Sequence, residues 1–78
     1  MKAIISVLGG DRPGIIAEIS GCLYRNNLNI LDITQTILSG YFTMVMMVDL
    51  AGMNVSYAEM TAALNELGEK LGLEIRMQ

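Results

Sequence analysis

The sequence predicts an α+β sandwich of element order β-α-β-β-α-β, with two helices on one face of a four-stranded antiparallel sheet. Three observations predict it. Four apolar runs have strand composition or alternation, and two stretches between them repeat apolar residues at helical spacing. Residues that cap helices or make turns stand at the junctions. The length, 78 residues, allows a single domain over residues 1–78 built around one thin core.

Lys2 to Leu8 is rich in Ile and Val and reads as a first strand buried on both faces. Gly9, Gly10, Asp11, Arg12, Pro13 and Gly14 break that pattern, and Ile15, Ile16, Ile19 and Leu23 follow at helical spacing. Asp11 is expected to cap this helix and Pro13 to sit where a missing N–H costs nothing. Asn26 and Asn27 are expected to stop it, because Asn tolerates left-handed backbone.

From Leu28 to Leu38 the period is two, with Leu31, Ile33 and Ile37 on one face and Asp32, Thr34 and Thr36 on the other. Ser39 and Gly40 supply a hairpin turn, and Tyr41 to Leu50 is the returning strand. Its alternation sends Phe42, Met44, Met46 and Val48 one way and Tyr41, Thr43, Val45 and Met47 the other.

Ser56 with Glu59 is a capping-box pattern, and Val55 with Met60 a hydrophobic staple. Met60, Leu64, Leu67 and Leu71 form the buried stripe of the second helix, Glu66 and Lys70 an outward pair, and Gly72 the stop. Leu73, Ile75 and Met77 alternate with Glu74 and Arg76 in a short last strand. This order is that of the ferredoxin-like sandwich, whose second sheet face is uncovered. Strands one and three offer apolar residues to both sides, so a homodimer is expected to cover that face, against the alternative of scattered surface apolars.

Hydrophobic residues at 53% and charged residues at 17% exclude the composition of disorder. A net charge of −3 without histidine excludes the basic footprint of a nucleic-acid binder. The lone Cys22 leaves no internal disulfide and fits a reducing cytoplasm. Neither a signal-peptide pattern nor an apolar run of the ~20 residues needed to span a membrane is seen, so no membrane contact is expected. No histidine means no histidine catalysis, and no cluster of ligating residues predicts a metal or cofactor. The chain is not expected to be an enzyme.

Cys22, between Ile19 and Leu23, reads as a small buried hydrophobe. Copper-carrying domains of this topology need paired cysteines in the first loop, and RNA-binding ones need aromatics on one face, whereas the adjacent Tyr41 and Phe42 point apart. An acylphosphatase would need a phosphate-cradling loop with an arginine before the first helix. Arg12 keeps that reading as a remote third, although Asp11 would repel phosphate.

The most informative segment is Gly10-Asp11-Arg12-Pro13-Gly14-Ile15-Ile16-Ala17-Glu18-Ile19, followed by Asn26-Asn27-Leu28-Asn29-Ile30-Leu31-Asp32-Ile33. By itself the loop is equally an ordinary capped turn or an anion site at a helix start. With its D-x-P-G opening of helix one and N-I opening of strand two, the chain resembles the ACT domain family along its whole length. It is most similar to the free-standing single-ACT-domain proteins of bacteria and archaea whose function is uncharacterised.

The resemblance implies sheet order 4-1-3-2 and regulation by a small molecule, most often an amino acid, bound between two paired domains. It implies ligand contacts from Gly9, Gly10, Asp11, Arg12, Pro13, Gly14 and Ile15, and from Asn29 and Ile30 at the start of strand two of the neighbouring domain. By its charge, Asp32 on the polar face of strand two is a further candidate for the ammonium of an amino acid, against the reading of a solvated strand residue. Asp11 stands where serine-binding members place an asparagine, Asn29 matches their second asparagine, and Gly9 replaces a histidine they use. An unidentified enzyme or regulator is the expected partner. The competing reading is a protein–protein assembly module without a ligand.

Overall fold

The computed structural model describes all residues 1–78. Its elements run β1 (Lys2–Gly10), α1 (Ile15–Arg25), β2 (Asn29–Leu38), β3 (Tyr41–Asp49), α2 (Tyr57–Leu71) and β4 (Leu73–Met77). The four strands pair antiparallel in the order β2-β3-β1-β4, which is the expected order written from its other edge.

The core lies between the helices and one sheet face. Ile15, Ile19, Cys22 and Leu23 of α1 and Met60, Leu64, Leu67 and Leu71 of α2 are buried with Ala3, Ile5 and Val7 of β1 and Phe42, Met44, Met46 and Val48 of β3. α2 packs on β4 and against α1, which leaves α1 toward the β2 side. The expectation that β1 is buried on both faces is corrected. Ala3, Ile5 and Val7 are buried, whereas Ile4 is 39% and Leu8 50% exposed, because no layer covers the second face.

β2 is exposed at all ten positions, on both faces. Ile33 and Ile37 are level with the buried Met46 and Phe42 of β3, yet the helices do not reach far enough to cover them. The alternation inferred from the sequence holds for Asp32, Ile33, Thr34, Thr36 and Ile37. Leu31 falls out of it, since the pairing with β3 skips a residue between Ile30 and Asp32. That bulge separates the start of the strand from the regular segment that follows. The hairpin turn has positive φ at both Ser39 and Gly40, the primed geometry that matches strand twist.

α2 is capped as its sequence predicts. Ser56 Oγ accepts from Glu59 N at 3.1 Å and Glu59 Oε1 from Ser56 N at 2.9 Å. α1 is not. Its N-cap is Gly14, with φ 89° and no side-chain hydrogen bond, so Asp11 does not cap the helix and Pro13 lies in the preceding turn. Left-handed backbone at this position requires glycine. At its far end Asn26 is the C-cap and Asn27 takes positive φ, donating from Nδ2 to Gly52 O at 2.7 Å.

Candidate functional site

The residues singled out in the sequence form two groups at opposite ends of the sheet. Gly9 and Gly10 end β1 beside Phe42 and Tyr41, and Asp11 N donates to Gly40 O at 3.0 Å, which ties the β1–α1 loop to the hairpin turn. Asp11, Arg12, Pro13 and Gly14 are exposed, and Ile15 turns into the core. Asn29 is level with Asp49 and Lys2, eight positions along β1 from Gly10. At a strand rise of about 3.3 Å per residue the groups lie about 26 Å apart along the strands.

Neither group is a pocket in one chain. None of the surface hollows is lined by residues 9–15 or by Asn29 and Ile30. Asp32 does line a shallow hollow with Ile4, Thr34, Val45 and Met47 on the uncovered sheet face, and its Oδ1 accepts from Ile33 N at 2.9 Å.

The glycines of the loop differ in what they do. A Cβ at Gly9 would stand 2.5 Å from Leu73 Cδ2 and 3.0 Å from Gly72 O, so glycine lets β1 meet the start of β4. The place of the family histidine is therefore closed by packing. Gly10 and Gly14 face open space, and at Gly14 only the backbone angle demands glycine. Because no side chain caps α1, the orphan N–H groups of its first turn are left to an incoming anion.

Sequence reasoning missed the groove between the helices, about 320 Å³ in volume and lined by Glu18, Cys22, Arg25, Asn26, Glu66 and Lys70 among others. Lys70 reaches across it to Glu18 at 3.6 Å instead of pairing with Glu66 along its own helix. Helix periodicity finds outward charges but not their partner on a neighbouring helix. Burial pushes the Cys22 thiol above its ordinary pKa, opposed in part by the Arg25 charge and the Asn26 amide. A raised pKa disfavours the thiolate, so Cys22 behaves as the apolar filler its spacing predicts.

A ferredoxin-like sandwich with an uncapped first helix and an uncovered edge strand defines the class of small βαββαβ modules. The chain belongs to the ACT domain family, whose model matches residues 2–78. It is 50% identical over 78 residues to a UPF0237 protein of Clostridium acetobutylicum, covering all of this chain and 88% of that one. The solved ACT domain protein from Streptococcus pneumoniae superposes with a TM-score of 0.88 at 38% identity, over 100% of this chain and 88% of the other. The regulatory subunit of aspartate kinase from Thermus thermophilus, solved free of ligand, superposes with a TM-score of 0.74 at 25% identity, over 99% and 50%. ACT domains are small-molecule-binding regulatory modules.

Proposed function

We propose that the protein is an amino-acid-binding regulatory module that works as a homodimer in the cytoplasm on a separate enzyme or regulator. The observation that carries this reading is the separation of the two candidate groups within one chain, combined with an edge strand exposed along its whole length. A two-fold axis normal to the sheet, running β2 antiparallel to the same strand of a second copy, turns the Asn29 end of one toward the Gly10 end of the other. Centred on Gln35, it sets Ile33 against Ile37 and Thr34 against Thr36, the like-with-like cross-strand pairs that stabilise a sheet. The partner's Asn29 and Ile30 then stand level with the turn at Gly40, beside Asp11.

In that seam the α1 N-terminus holds the carboxylate of an amino acid and Asp11 takes its ammonium, whereas Asp32, on the uncovered sheet face, lies on the other side of the sheet from α1. Recognition falls on Asp11, Arg12, the amides around Pro13 and Gly14, and the partner's Asn29. Thermal melts with each proteinogenic amino acid at about 10 mM test it, since a ligand at a hundred times its Kd stabilises by ~2.7 kcal/mol. At least one should raise the melting temperature, and Asn29→Ala should remove the rise while leaving the ligand-free melt unchanged.

If none does so, ligand binding is abandoned. The assembly reading then takes its place, favoured by the apolar residues Ile4, Leu8 and Val45 on the uncovered face. The acylphosphatase reading has only the exposed Arg12 behind it.

A further inference from the structure

The uncovered sheet face is laid out in rows set by the strand register. Thr34, Val45, Ser6 and Arg76 form one row across β2, β3, β1 and β4. Thr36, Thr43, Leu8 and Glu74 form the next. Turning the sheet end for end about the midpoint between these rows exchanges Thr34 with Thr36, Val45 with Thr43, Leu8 with Ser6 and Glu74 with Arg76. A reversed copy laid on this face therefore meets each large side chain of β1 with a small one, and each charge of β4 with its opposite. The same midpoint is the centre of the edge pairing through Gln35, so one set of axes serves both contacts.

The geometry points to a tetramer in which two edge-paired dimers pack through their uncovered sheet faces. This rests on the edge-paired dimer of the proposed function. Area decides that the occupant is a second dimer. One chain offers four strands at about 4.8 Å spacing and seven residues at about 3.3 Å rise, a projected face of about 450 Å². That is roughly half of the ~800 Å² per partner that stable interfaces bury, whereas the eight-stranded face of the edge-paired dimer reaches about 900 Å². Ile4, Leu8 and Val45, 39%, 50% and 46% exposed, supply its apolar interior. Glu74 and Arg76, on β4, carry charges at its two outer edges, and Asp32, on β2, carries one beside the central seam.

Sedimentation or light scattering of the full chain gives the test. The expected result is a four-chain mass. Val45→Lys should give a two-chain mass on the order of 100 µM and below, and Thr43→Lys should do the same should the first variant fold poorly. Glu74→Arg should weaken the tetramer and the swapped pair Glu74→Arg with Arg76→Glu should restore it, a rescue that damage to the fold does not produce. Ile33→Asp, on the edge, should remove both contacts and give a one-chain mass.

A wild-type mass of two chains overturns the tetramer and leaves the edge dimer standing. A mass of one chain overturns both, and a tetramer that survives Val45→Lys overturns the face contact. Retention of a partner of another kind by a wild type of two chains likewise counts against the tetramer.

Discussion

The two halves of this small sandwich are finished to different degrees. On the α2–β4 side the helix caps and close contacts are in place. Ser56 and Glu59 cap the helix reciprocally, Tyr57 Oη donates to Met77 O at 3.1 Å, and Gly68 brings α2 against the start of β4. On the α1–β2 side the devices are left open. The helix starts at a glycine without a side-chain cap, and the strand it leads to is exposed from Asn29 to Leu38. The first half folds the chain, and the second half holds the groups that a ligand or a second copy would complete.

The sharpest way to break this contrast is Gly68→Ala. In an ordinary helix interior the change stabilises by about 1 kcal/mol. Here the new Cβ would lie 2.6 Å from Leu73 O, a backbone atom that cannot swing aside. The crowding wins, and the variant should lose about 2 kcal/mol in urea denaturation. Were it as stable as the wild type, the close fit of α2 on β4 would not be what fixes this half.

Gly9→His sharpens the contrast at the boundary between the halves. It introduces the histidine that the family resemblance places at this position, but its Cβ meets Leu73 Cδ2 at 2.5 Å, the flexible end of a side chain, and Gly72 O at 3.0 Å. The expected loss is smaller, about 1.5 kcal/mol. Gly10→Ala, one residue on, meets nothing within 4 Å and should change the urea midpoint little. A neutral Gly9→His would show that the histidine is absent for reasons of ligand choice and not of packing.

How much of this was legible in the sequence follows the same division. The α2 boundaries could be read from Ser56, Glu59 and Gly72 because caps are local chemistry, settled within four residues. Helix one was located but its start was misassigned, since Asp11 has the side chain of a cap and Gly14 has only a backbone angle. The bulge at Leu31 left no mark, as one extra residue in a strand is a property of the pairing and not of the run itself. The two candidate groups were both named from their motif. Their placement at opposite ends of the sheet became visible only with the register of β1, β2 and β3, because the sequence order of elements does not by itself give distances between their ends.

The smallest expected effect is a pH dependence confined to the finished half. Hydrogen bonds from the Ser56 backbone N–H and hydroxyl hold the Glu59 carboxyl below its ordinary pKa. A carboxyl depressed in the folded state binds its proton more weakly there than in the unfolded chain. Its contribution is therefore fully present above the unfolded value of about 4.3 and is lost as pH falls through the lower folded value. Glu59→Gln keeps the shape of the capping box but not the charge near the positive end of the helix. Urea midpoints of the two proteins should differ slightly at neutral pH and converge in acid. A gap that persisted unchanged into acid would assign the effect of the substitution to geometry, and the charge of Glu59 would drop out of the account of how this half is held.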